Sequence, residues 1–275
     1  MVFLSFSIIS NLSIGLNNSL HPEQGFAFYN DEAPTWLAHL PSVSDLEQLN
    51  SYKGYFHYQT DASGQQLLCF TALLDGKPVS MHVDLASGQV AYRRQHGGGR
   101  KQHIAKACGL KNNWNPTVID ATGGLGRDAA ELRSLGCSLR IIERSAYVAS
   151  LLQDAIIRAR QDSHSAPLFA QAFELFHGQA ATLITSLSAQ EQPDIIYLDP
   201  MFPPRNKSAA VKKEMRLVKL LVGEDPDADN LLEIALEHAR KRVVVKRPSY
   251  APFLNQKKPS MSIESKGNRF DVYII

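Results

Sequence analysis

The chain is poor in cysteine, in long apolar runs and in net charge. Its 275 residues hold three cysteines, Cys69, Cys108 and Cys137, scattered and odd in number. That excludes a disulfide framework, offers no metal-ligand spacing and fits a reduced compartment such as the cytoplasm. An apolar, Ser/Asn-rich stretch over residues 2–16 is broken by Ser5, Ser7, Ser10 and Asn11, and it is too short to span a bilayer. No Lys or Arg precedes Lys53, so the basic flank of a secretory signal is missing too. The stretch reads as an edge strand or an extension. Net charge is only +2, which rules out a general polycation. Nucleic-acid binding would have to come from local basic patches. What is present is the material of a packed core, 44% hydrophobic residues with 20% charged, and this excludes global disorder.

The length suits one large or two modest domains, at roughly 100–200 residues each. Residues 1–100 read as a small β-rich N-terminal domain. Strand-like segments cover residues 66–74, 77–85 and 89–94. Asp75-Gly76 and Ser87-Gly88 sit between them as hairpin turns, which predicts an antiparallel module. Gly97-Gly98-Gly99, flanked by Arg93, Arg94, Arg100 and Lys101, closes it.

Residues 101–275 have a different rhythm. Strands are expected over 117–121, 138–142, 195–198 and 243–245. Helices are expected over 128–135, from a Ser145 cap, from a Ser208 cap to about 222, and over 231–239. Val148, Leu151, Leu152, Ala155, Ile156 and Ala159 fall on one face of the helix after Ser145. Residues 261–264 and 270–274, joined through Gly267-Asn268, form a terminal hairpin. Strands alternating with helices predict an α/β unit with a mostly parallel sheet covered on both faces.

The most specific run is Ile196-Tyr197-Leu198-Asp199-Pro200-Met201-Phe202-Pro203-Pro204-Arg205. An apolar strand stops at a carboxylate, prolines stiffen the turn, and an aromatic ring follows three residues later. Residues just past a strand's C-terminal end line the site in open α/β sheets. The Asp199 carboxylate and the Pro200 carbonyl are two acceptors, and Phe202 is a flat face. Together they suit an exocyclic amino group on a planar base. The run resembles the Asp/Asn-Pro-Pro-aromatic signature of amino-directed methyltransferases.

Upstream lies Asp120-Ala121-Thr122-Gly123-Gly124-Leu125-Gly126-Arg127-Asp128, a strand end, a glycine-rich turn and a helix start. Such a turn lets backbone approach a ligand closely, at a helix N-terminus that favours anions. Alone it also fits a dinucleotide oxidoreductase. Its order, Asp-x-x-Gly-Gly-x-Gly, departs from Gly-x-Gly-x-x-Gly and favours S-adenosylmethionine. Asp120 could meet the cofactor's amino group, and Arg127 and Asp128 its carboxylate and amino ends. Glu143 closes the second strand, where an acid takes ribose hydroxyls; Arg144 beside it is a contact or a solvated strand-end residue. Phe176-His177-Gly178-Gln179-Ala180 should follow the third strand and face the adenine. There Gln179 is a hydrogen-bonding candidate or a plain loop residue.

Basic residues surround these motifs. Arg205, Lys207, Lys212, Lys213 and Arg216 follow Asp199, and Arg240, Lys241, Arg242, Lys246, Arg247, Lys257 and Lys258 form a second run. With Arg100 near the glycine triplet they are expected to converge on one site and contact phosphates.

The whole set of motifs resembles the ribosomal RNA small subunit methyltransferase J family. The resemblance runs through Arg93-Arg94, Gly97-Gly98-Gly99-Arg100, Asp120 to Asp128, Leu135-Gly136-Cys137 and Leu198-Asp199-Pro200-Met201-Phe202-Pro203. It continues through Lys212-Lys213-Glu214-Met215-Arg216, Val243 to Pro248 and Arg269-Phe270-Asp271. It implies a Rossmann-like class I S-adenosylmethionine-dependent methyltransferase fold. It also implies N2-methylation of one guanosine in 16S rRNA, in the cytoplasm, on the RNA or the small ribosomal subunit, without membrane or metal. Cofactor positions carry over to Arg127, Asp128, Glu143, Arg144 and Asp199. They carry over also to a Ser-Ser pair that is Gln179-Ala180 here, where backbone contacts could survive the change. The residues alone leave adenine N6 open as the target amine, and a non-catalytic RNA-binding or assembly protein as a further alternative.

Overall fold

The computed structural model describes residues 25–29, 33–45, 47–86, 98–202, 213–223 and 228–275. Outside the described residues fall the 2–16 stretch, the 89–94 segment with Ser87-Gly88, the Ser208 cap, and Pro203, Pro204, Arg205, Lys207 and Lys212.

The N-terminal sheet has five strands: β1 (Phe26–Tyr29), β2 (Ser42–Val43), β3 (Gly54–Thr60), β4 (Gln66–Leu74) and β5 (Lys77–Met81). Their order is β2-β1-β3-β4-β5. The β3-β4-β5 part is the expected antiparallel meander, and Asp75 (φ 54°) with Gly76 (φ 74°) makes its two-residue turn. Two features differ from expectation. β5 stops at Met81 rather than at residue 85, and β1 pairs in parallel with both β2 and β3, so the sheet is mixed.

The second sheet has seven strands: β6 (Thr117–Asp120), β7 (Ser138–Glu143), β8 (Phe173–His177), β9 (Ile195–Leu198), β10 (Arg242–Pro248), β11 (Met261–Glu264) and β12 (Asn268–Ile274). Its order is β11-β12-β10-β9-β6-β7-β8, and only β12 runs against the rest. The helices are α1 (His103–Ala107), α2 (Arg127–Ser134), α3 (Ala146–Gln161), α4 (Ala166–Phe169), α5 (Ala180–Thr185), α6 (Lys213–Val222) and α7 (Ala228–His238). This is the expected α/β architecture. Strand order reverses between β6 and β9, which opens a crevice at their C-terminal ends.

α3 joins the two sheets. Ser145 Oγ accepts from the Val148 amide, and all six residues of the expected apolar face are buried. On the N-terminal side, Tyr147 meets Phe26 edge-on at 4.9 Å between ring centroids and stacks on Phe56 at 5.8 Å. Asp154 accepts from the Leu68 amide at 3.2 Å, and Arg158 bonds to both Asp154 and the Val83 carbonyl. One continuous apolar cluster therefore runs from Phe26 through α3 to Phe270. That cluster draws residues from both sides of residue 100. Among the described residues no helix is long and apolar enough to cross a membrane.

Candidate active site

β6 and β9 lie side by side with Asp120 opposite Tyr197, and the Ala121 amide donates to the Tyr197 carbonyl at 3.0 Å. That register brings the glycine turn and the Asp199 turn together. Thr122 locks them: its Oγ1 accepts from the Asp199 amide at 2.6 Å, while Asp120 Oδ1 accepts from the Thr122 amide at 3.1 Å. Between the turns opens a cavity of about 710 Å³, lined by residues that include Asp120, Gly124, Arg127, Asp128, Glu143 and Asp199. A space of this size takes a nucleoside-sized ligand.

Glycine is required in the turn for room. A Cβ on Gly123 would lie 2.6 Å from Ile141 Cγ2, and one on Gly126, where φ is +68°, 2.6 Å from Leu152 Cδ1. Glu143 fixes the turn from below. Its Oε2 accepts from the Gly124 amide and its Oε1 from the Ser145 amide, each at 2.7 Å. Burial raises the Glu143 carboxyl above its ordinary range, and these two amides pull it back.

The acids at the centre share one cation. Lys246 Nζ lies 2.6 Å from Asp128 Oδ2 and 2.8 Å from Asp199 Oδ2. Tyr197, fully buried, donates its hydroxyl to Asp128 Oδ2 at 2.7 Å. Asp199 keeps 38% of its side-chain surface accessible, but that surface opens into the cavity and protein surrounds the group. Burial accordingly raises its pKa, and Lys246 draws it down. Burial disfavours the Lys246 ammonium; Asp199 and Asp128 outweigh it and hold Lys246 above its usual range. Asp120 is pushed up to about 7 by burial, against the Thr122 amide and with Asp128 and Asp199 adding to the rise.

The remaining expected residues are distributed as follows. Arg144, Gln179 and Ala180 line the cavity, with Gln179 at the start of α5. Arg127 lines it and is paired with Glu214 of α6. Pro200 follows Asp199 and is buried. Phe202 has the Arg247 guanidinium 4.7 Å from its ring centroid and the Tyr250 ring at 5.9 Å. Arg269 steadies the Tyr250 loop by donating to the Ser249 and Ala251 carbonyls while paired with buried Asp271. His177 packs on Trp36 of the N-terminal part, centroids 5.5 Å apart.

Most of the residues expected to contact phosphates also meet protein groups. Arg100 donates to the Trp114 and Leu135 carbonyls and to Asn115, so it ties loops together. Arg216 makes a two-pronged pair with Asp75 in the β4–β5 turn. Arg247 covers Phe202 and donates to the Pro252 carbonyl. Lys246 is held by carboxylates inside the cavity. Arg242 begins β10, about 16 Å of strand away from Arg247, and Arg240 and Lys241 precede it, so this part of the second run lies away from the site. Lys213 is exposed at the start of α6. Thr122 and Tyr197 join the site beyond the residues expected from sequence; the tyrosine inside a buried strand is the available signal, because a buried phenol needs a partner.

The donor set fits S-adenosylmethionine. Asp120, Asp128, Glu143 and Arg127 all line the cavity, and the turn leaves backbone open at Gly124, where an added Cβ has nothing closer than 3.7 Å. Among the described residues no cluster of His, Cys, Asp or Glu could hold a metal.

Residues 56–275 match the family described as "Putative SAM-dependent methyltransferase". The ribosomal RNA small subunit methyltransferase J of Aeromonas salmonicida is 57% identical over 196 residues, 71% of this chain and 78% of its own length. The protein of that name from Colwellia psychrerythraea is 47% identical over 266 residues, 97% of this chain and 93% of its own. A SAM-dependent methyltransferase from Neisseria gonorrhoeae, solved by crystallography, superimposes with a TM-score of 0.68 at 32% identity, covering 90% of this chain and 95% of that one. The cofactor turn, the Asp199 turn and this kinship agree: the chain is an S-adenosylmethionine-dependent methyltransferase and belongs to the ribosomal RNA small subunit methyltransferase J family.

Proposed function

We propose that the chain methylates the N2 amino group of one guanosine in 16S rRNA, acting in the cytoplasm on the small ribosomal subunit or its RNA. The observation that carries this reading is the Asp199 carboxylate, which lines the cavity beside the cofactor turn with one oxygen engaged by Lys246. Bound in the cavity, S-adenosylmethionine supplies an electrophilic methyl group. Glu143 would accept from the ribose, Asp120 and Asp128 from the amino group, and Arg127 would donate to the carboxylate. Arg144, Gln179 and Ala180 would flank the adenosine.

An exocyclic amine is a weak nucleophile because its lone pair is conjugated into the ring. Asp199 Oδ1 and the Pro200 carbonyl would accept its two N–H bonds and leave the lone pair facing the methyl group, a matter of placement. Asp199 stabilises the positive charge that grows on nitrogen and takes the proton that nitrogen sheds. Stacking on Phe202 is worth about 1–3 kcal/mol and offsets part of a flipping cost of a few kcal/mol. Lys213, exposed at the start of α6, would be the candidate for a phosphate contact. The same turn would serve an adenine N6 amine; the family resemblance favours guanine.

Nucleoside mass spectrometry of 16S rRNA from cells with and without the gene tests the reading. Loss of N2-methylguanosine from one position is expected. Unchanged N2-methylguanosine, or loss of N6-methyladenosine instead, refutes it.

A further inference from the structure

Three separate elements converge on a single ammonium. Lys246 comes from β10, Asp128 from the first turn of α2, and Asp199 from the end of β9. Lys246 Nζ bonds to Oδ2 of each acid, at 2.6 Å and 2.8 Å, and the Tyr197 hydroxyl bonds to the same oxygen of Asp128. The contacts engage one oxygen of each carboxylate and leave the other for a ligand in the cavity they both line. Resting on the methyl-transfer reading above, we propose that Lys246 is a positioning residue. It ties the carboxylate placed for the donor's amino group, Asp128, to the one placed for the target amine, Asp199, and sets which oxygen of each faces the ligand.

The surrounding charges make the ammonium necessary. Asp199 is faced by Lys246 and Arg247 from β10 and by Asp128 from α2, with Asp120 and the neutral Tyr197 hydroxyl behind them on β6 and β9. Arg247 is engaged with Phe202 and the Pro252 carbonyl. Without Lys246, three acids would share one partly enclosed space, and Asp199 would take up a proton. A protonated Asp199 presents a donor where the amine needs an acceptor, so transfer would fail at neutral pH and recover as pH rises. A bridge that only braced the fold would produce no such recovery.

The test measures kcat for the parent and Lys246→Met with saturating S-adenosylmethionine and small subunits, from about pH 5.5 to 9.5; kcat reports groups in the bound complex. A far-ultraviolet circular dichroism spectrum and a urea unfolding midpoint matching the parent's show that the variant is folded. At pH 7 the variant's kcat is expected to fall at least about tenfold, with its acid limb moved to about pH 8 or above. A parental kcat, or a lowered kcat with an unmoved limb, overturns the proposal. If Lys246→Met does not fold, Lys246→Arg keeps the charge on a wider head. Its kcat is expected to fall with the acid limb unmoved, and a displaced limb overturns the proposal. A parent that transfers no methyl group at all to the subunit refutes the methyl-transfer reading itself.

Discussion

Asp120 carries the clearest pH signature at the scale of the residue. Its folded pKa of about 7 compares with about 3.9 in an unfolded chain. Between those values the folded protein holds a proton that the unfolded chain has lost. The group's contribution to stability is therefore fullest below about pH 4 and is gone above about pH 7. A cationic amino group placed against Asp120 reverses the preference and expels the proton. Affinity for S-adenosylmethionine should rise from about pH 5.5 to 7, by up to about tenfold per unit, and level off above. Calorimetry in buffers of different ionisation enthalpy should register the released proton, and Asp120→Asn should abolish both effects. A pH-independent affinity in the parent would contradict this account. Asp120, Glu143 and Asp199 stood out in the sequence because each ends a strand. Lys246 was harder to place: in sequence it belongs to a basic run, and only the β9–β10 register reveals that it points at two acids rather than at RNA.

Among the elements, the glycine turn and α3 were legible for local reasons, namely a Gly-rich strand-to-helix junction and an apolar face after a serine cap. β6 to β10 were legible because their apolar cores are short and bounded by turns. β1 and β3 were not, since the parallel pairing that creates β1 depends on partners distant in sequence. The turn is also where an element-level substitution should tell most. Gly126→Ala would place a Cβ 2.6 Å from Leu152 Cδ1 at a φ of +68°. Forcing that methyl into a packed junction should cost about 1–3 kcal/mol, read by urea unfolding. S-adenosylmethionine binding should weaken as well, because the Gly124 amide moves off Glu143. An unchanged midpoint and unchanged affinity would mean that the turn is not held as described.

For the molecule as a whole, the sequence suggested two domains, and the structure joins the described parts through one apolar cluster. Phe26, Phe56 and Phe70 pack against one another, and Tyr147 of α3 meets the first two. Phe56→Ala should cost about 3–5 kcal/mol. It should lower one cooperative transition, seen alike by far-ultraviolet circular dichroism and by loss of cofactor binding. Two separated transitions would mean that the sheets are independent. The same joining places Trp36 against His177, next to the Gly178–Gln179 segment that lines the cavity. In the proposed reaction the cofactor cavity and the Asp199 turn act together on a guanine amine. Its most direct test is transfer of labelled methyl from S-adenosylmethionine to unmodified small subunits or 16S rRNA, with the product nucleoside identified for the parent and for Asp199→Asn. The parent should yield N2-methylguanosine, and the variant, still binding the cofactor, should be slower by about a hundredfold or more. N6-methyladenosine from the parent, or an Asp199→Asn rate equal to the parent's, would contradict it.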